Sequence, residues 1–147
     1  MKITEILMAE HAVFHSLFDH IEATVPGAKT LAEVKSLGVT MDKLMTPHSK
    51  TEDELFIEPL EHCFDQLGHK ETFHHEHEAI EEMLARLGTT RDLKTAKRLL
   101  LAALAASRKH FDKEERIVFP LAERILKART LSELGKQWLT KRHLRTF

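Results

Sequence analysis

The sequence predicts an all-α fold, an up-down-up-down four-helix bundle followed by a short C-terminal helix or tail. Three observations carry this. Apolar residues recur at alternating spacings of three and four over four long stretches, the signature of a packed helical face. Proline, glycine and capping patterns fall between those stretches. No stretch alternates with the period of two that a half-buried strand requires. The bundle is placed in residues 1–128 and the C-terminal extension in 129–147.

The first helix is expected over Ile3 to Val25, with Ile3, Leu7, His11, Phe14, Phe18, Ile21 and Val25 along one seam. Pro26-Gly27 ends it. The second starts at Thr30, which forms a capping-box pattern with Glu33. Its seam is Leu37, Met41, Leu44, His48, Glu52 and Leu55. Pro47 lies inside, where a lost backbone hydrogen bond should kink or split the helix just before His48. The third helix, about Glu71 to Leu87, carries Phe73, His77, Ile80, Leu84 and Leu87, with Gly88 as its cap. The fourth, Asp92 to about Lys127, carries Leu100, Ala103, Ser107, His110, Glu114, Ile117 and Leu121. Thr130 and Glu133 repeat the capping pattern ahead of a short last helix, and the basic residues from Lys141 to Arg145 form a frayed tail.

The totals narrow the function. A chain of 147 residues suits one domain with a core of its own. The formal net charge of −1 argues against nucleic acid or an anionic membrane as a dominant partner. One cysteine, Cys63, cannot close an internal disulfide, and no apolar run spans a membrane. The N-terminus opens into an amphipathic pattern unlike a secretory signal, so a cytoplasmic location is expected. Tyrosine is absent, which excludes tyrosyl-radical chemistry. Eleven histidines are several times the usual number for this length.

Each helical seam contains a histidine where its neighbours are Leu, Phe or Ile. The pairs His48/Glu52 and His110/Glu114 are four residues apart, about 40° around a helix, so each aims an imidazole and a carboxylate the same way. The halves of the chain resemble each other: Glu10-His11 and Glu76-His77 lead the first and third helices. The second and fourth share His, Glu at +4, an acid at +5, and a later proline. Six buried polar groups, each costing about 1–3 kcal/mol if unpaired, would erode a typical stability of about 5–15 kcal/mol. Satisfying one another or sharing cations removes that cost. Four imidazoles and two carboxylates can hold two divalent ions, and this donor set suits iron, manganese or zinc. Among the other polar residues, Glu76 and Asp112 are candidates to orient ligand imidazoles. His20, His62, His69, His75 and His143 are expected at the surface or in loops.

Together, Glu10-His11, His48-x-x-x-Glu52, Glu76-His77-Glu78 and His110-x-x-x-Glu114-Glu115 with Val118-Phe119-Pro120 resemble the hemerythrin-like, or HHE cation-binding, family over about residues 3–127. The resemblance implies a four-helix bundle holding a non-haem di-iron centre bridged by carboxylates and an oxo or hydroxo group. By position it implies His11, His48, Glu52, His77, His110 and Glu114 as ligands. His74, Glu115 and His15 stand as further candidates. Oxygen-carrying members place a second histidine four residues before the third-helix ligand, where this chain has Phe73. Their fourth-helix carboxylate corresponds to Glu115; Glu114 is preferred because it repeats the His48/Glu52 spacing. The pattern is closer to the four-His, two-Glu branch linked to iron sensing and nitrosative stress. The implied role is binding of a small ligand such as O2, NO or peroxide in sensing, storage, iron handling or stress defence. A di-iron enzyme turning over peroxide or nitrogen oxides, and a metal-stabilised interaction module, are the alternatives.

Overall fold

A computed structural model describes residues 1–60 and 70–143, apart from the side chains at 70–72, 74 and 143. Cys63, Gly68, His62 and His69 lie outside the described residues, as do the side chains of His74 and His143. Apart from its first two residues and short joints at 28–30, 90–92 and 126–127, the described chain is helical, with no strand. We label the helices α1 (Ile3–Thr24), α2 (Leu31–Glu52), α3 (Lys70–Thr89), α4 (Leu93–Lys113), α5 (Phe119–Ile125) and α6 (Ala128–His143). Among the described residues, no helix is long and apolar enough to cross a membrane.

Local chemistry sets the ends. α1 runs out into a single 3-10 turn at Val25–Gly27, with Pro26 at its start. At the head of α2, Thr30 Oγ1 accepts from the Glu33 amide while Glu33 returns a carboxylate to the Thr30 amide, so both orphan donors are satisfied. Asp92 caps α4 through the Thr95 amide at 2.9 Å. α3 continues through Gly88 to Thr89, so that glycine lies in the last turn.

The four long helices run antiparallel to their partners. His77 meets the end of α2 while Leu87 packs on Gly38 near its start. His11 meets Glu114 while Lys97 reaches the Pro26 carbonyl. Two apolar clusters fill the bundle. One gathers Phe14, Phe18, Ile21, Met41, Leu84, Leu100 and their neighbours. The other gathers Ile3, Leu7, Phe56, Phe73, Phe119, Leu131 and Trp138. The seam histidines fall in sequence between these sets: His11 between Leu7 and Phe14, His48 between Met45 and Phe56, His77 between Phe73 and Ile80. A polar layer therefore sits between two apolar ones.

Several sequence expectations change here, for one main reason. α2 passes through Pro47 unbroken and reaches Glu52. The irregularity comes later, as a π turn at Asp53–Ile57, and a second π turn follows α4 at Glu114–Val118. Each turn inserts one residue relative to α-helical spacing and rotates everything beyond it. The buried positions thus become Phe56 and Val118 instead of Leu55 and Ile117, and Ile117 is 47 % exposed. Leu121 likewise yields to Ala122. Leu44, 45 % exposed, leaves the α2 seam to Met45. The last helix is also longer than expected. It starts at Ala128 and spans 16 residues, so Thr130 lies within its first turn. Its Leu131 and Trp138 are buried in the second apolar cluster. Gly135 permits this docking, since a Cβ there would lie 2.2 Å from the Met1 carbonyl oxygen.

Candidate metal centre

The polar layer is built from one face of each long helix. His11 comes from α1, His48 and Glu52 from α2, His77 from α3, His110 from α4 and Glu114 from the π turn after it. All six are buried, none more than 7 % exposed. Donor atoms of His11, His48 and Glu52 lie within 4.8 Å of one another, and so do those of Glu52, His77 and His110. Glu52 belongs to both groups. Its Oε2 is 3.5 Å from His48 Nε2 and its Oε1 is 3.7 Å from His77 Nε2. Glu114 also reaches a histidine of each group, with Oε1 3.0 Å from His110 Nε2 and 3.9 Å from His11 Nε2.

These atoms fit a cation site better than they fit one another. Both ring nitrogens of His11, Nε2 of His48 and all four oxygens of Glu52 and Glu114 are buried without a hydrogen bond. Leaving such groups unpaired costs about 1–3 kcal/mol each, and more for a charge. His77 Nε2 and His110 Nε2 are 2.7 Å apart. Two nitrogens each about 2.1 Å from one ion, at roughly a right angle, are about 3 Å apart.

The outer nitrogens are held by a ring of acids. His48 Nδ1 donates to Glu10 Oε2 at 2.7 Å, His77 Nδ1 contacts Asp53 Oδ1 at 3.1 Å, and His110 Nδ1 donates to Glu76 Oε2 at 2.6 Å. Glu115 completes the circuit beside His11 Nδ1 at 3.7 Å. Each acid neighbours a ligand candidate on its own helix and serves the histidine of the next. Donation from Nδ1 fixes the tautomer and aims the Nε2 lone pair inward. His11 instead stacks flat on Phe111, with ring centroids 3.8 Å apart and planes 7° off parallel.

Electrostatics among these side chains reflects the crowding. Burial pushes His11 down to about 3, against the pull of Glu52. Burial acts the same way on His48, but its hydrogen bond to Glu10 and the negative charges of Glu52 and Glu10 outweigh it and raise the group to about 9. His110 rises to about 10 because Glu114 and Glu76 overcome its burial. Burial and the neighbouring Glu52 charge push Glu114 up, while His48 holds Glu52 down despite its burial. Two adjacent buried carboxylates do not both ionise readily. A dication between them removes the conflict.

The other candidates lie outside the layer. His15 and Glu115 are half-buried and pair at 3.3 Å on the outer side of His11. His74 has no described side chain. Asp112 faces solvent and pairs with Arg116 at 2.9 Å, so of the two suggested orienting acids only Glu76 contacts a layer histidine. Glu10 and Asp53 were not singled out from the sequence as orienting acids. Their signal was present, an acid beside His11, Glu52, His77 and Glu114, but which histidine each acid serves depends on helix order around the bundle.

A family model for the hemerythrin HHE cation binding domain matches residues 2–122 and matches again over residues 68–137. The second match takes in the half of the chain where the Glu-His and His-x-x-x-Glu-acid pattern recurs. No curated protein and no solved structure is significantly similar to the chain. A match over most of the chain, a helical bundle and a buried histidine–glutamate layer fitted to cations agree: the chain belongs to the hemerythrin HHE cation-binding family.

Proposed function

We propose that the protein holds two iron ions in this layer and takes up a small ligand such as O2, NO or peroxide, in sensing, storage, iron handling or stress defence in the cytoplasm. The observation that carries the reading is the sharing of Glu52 between the two donor groups. One ion would rest on His11, His48 and Glu52, the other on His77, His110 and Glu52, with Glu114 facing both. Imidazole nitrogen with carboxylate oxygen suits iron, and the small number of protein donors leaves open positions on each ion. Bound iron supplies a redox-active centre that accepts a small ligand.

The chain's own residues supply shelter and orientation. Glu10, Asp53 and Glu76 hold three imidazoles in place, Phe111 holds the fourth, and the apolar layers exclude bulk water. A cleft of about 10 Å³ lined by Met45, Thr46, Ser49, His77, Ile80, Glu81 and Leu84 reaches the layer at His77. That is room for about one water-sized molecule, too little for a large substrate to enter there.

The test is purification after expression with iron, followed by metal analysis and a visible spectrum in air. Two irons per chain with charge-transfer bands that change on adding NO or peroxide support the proposal. Tightly held zinc with no spectral response overturns it. Sustained consumption of peroxide would instead place the protein among di-iron enzymes.

A further inference from the structure

The two halves of the layer are alike in their histidines but differ in what holds the acid behind them. Glu76, behind His110, is gripped by Lys113, three residues after His110 on the same helix. The matching position in the first half, three residues after His48, is Thr51. Its hydroxyl donates back to the Pro47 carbonyl at 2.8 Å. No cation of α2 therefore takes the place of Lys113 beside Glu10. The replacement comes from the far end of the chain. Trp138 Nε1 on α6 donates to Glu10 Oε1 at 3.1 Å, and Arg142 Nε lies 3.5 Å from the same oxygen. The other oxygen of Glu10 accepts from His48 Nδ1. Trp138 is fully buried, its ring set edge-on to His48 with centroids 5.6 Å apart.

From this geometry we infer that Trp138 is a positioning residue for one of the two ions, acting through Glu10 on His48. The inference rests on the proposed metal centre and adds an asymmetry to it. The C-terminal helix secures the His11/His48 ion, whereas Lys113 secures the His77/His110 ion. A carboxylate tethered at both oxygens keeps one orientation, and so does the imidazole it holds. Without the indole N–H, that oxygen of Glu10 keeps only the longer 3.5 Å contact to Arg142, so the carboxylate turns more freely and His48 holds its tautomer and aim less firmly. The ion at His48 then binds more weakly, while its neighbour keeps its supports.

The experiment is anaerobic equilibrium dialysis of the full chain against Fe(II), comparing the wild type with Trp138→Phe, Glu10→Gln, the double variant and Lys113→Met. Loss of an outer partner typically lowers metal affinity by about 10–100-fold. Trp138→Phe is expected to weaken one ion by about tenfold and leave the other near its wild-type affinity. In the Glu10→Gln background the Trp138 change should add little, because its route is already cut. Lys113→Met should weaken one ion by a similar factor, and combining it with Trp138→Phe should weaken both. Melting curves of the metal-free variants separate packing from positioning: a purely structural Trp138 would lower the melting temperature and weaken both ions together. That result, or full additivity of Trp138→Phe with Glu10→Gln, or no effect on either ion, overturns the inference while leaving two irons in the wild type. A wild type that takes up no iron removes the metal reading and this inference with it.

Discussion

Replacing Glu52 by glutamine removes an anionic oxygen donor from both metal positions at once. Its two oxygens lie 3.5 Å from His48 Nε2 and 3.7 Å from His77 Nε2. Breaking a buried charge partnership costs about 3–5 kcal/mol. At the lower figure each ion binds about 100-fold more weakly, since about 1.4 kcal/mol is tenfold. Metal at 100 times its Kd stabilises a protein by about 2.7 kcal/mol per site, so two ions give about 5 kcal/mol. For a chain of this size that raises Tm by about 10–20 °C over the metal-free protein. In Glu52→Gln at the same free iron, both sites fall to about their Kd and the metal-dependent gain shrinks to about 1–3 °C. His48→Gln touches one group only and should keep about half of the wild-type gain. Calorimetry with and without Fe(II), paired with metal analysis, measures all three. If Glu52→Gln keeps one ion at full strength, or His48→Gln loses both, the shared-carboxylate reasoning fails.

Other predictions follow from neighbouring contacts. Phe111→Ala removes the ring stacked on His11 and opens the core, costing about 3–5 kcal/mol in denaturant melts; iron retention should fall as well, and an unchanged midpoint would contradict the packing described. Gly135→Ala drives a Cβ into the Met1 carbonyl, so α6 must shift away from the N-terminus; about 1–3 kcal/mol is lost, with increased cleavage of α6 by trypsin as the check. Metal loading should release protons, because His48 and His110 are raised to about 9 and 10 in the metal-free protein and are charged at pH 7. Affinity therefore rises with pH across pH 6–8 and falls with acid. A dye-based proton count on adding Fe(II) that reads zero would contradict the charge state assigned to them. Because Trp138 is the only tryptophan and there is no tyrosine, fluorescence excited near 290 nm, a wavelength set by indole absorption, reports on the His48 side alone. Lys113→Met should leave its response to metal intact.

The layer was legible in the sequence because polar residues at apolar seam positions have few physical explanations. His11, His48, Glu52, His77, His110 and Glu114 stood out on spacing, and the structure places them together. The helices themselves followed from periodicity and caps, with Thr30/Glu33 forming as expected. What spacing could not supply was the π turns. They insert a residue without changing composition, so a strict α-helical count puts Ile117 in the core where Val118 belongs. The reach of α6 was missed for a different reason. Leu131, Leu134 and Trp138 form a seam, but its purpose depends on Glu10, more than a hundred residues earlier in the chain. Long-range pairings of this kind are decided by packing rather than by local pattern.

The most direct test of the whole account is anomalous diffraction at the iron edge from crystals of the iron-loaded protein. Two peaks about 3.5–4 Å apart, the spacing common to two-metal sites, are predicted on either side of the Glu52 carboxylate, with Glu114 facing both. A single peak, or iron bound only at surface acids while His11, His48, His77 and His110 keep their metal-free contacts, would contradict it.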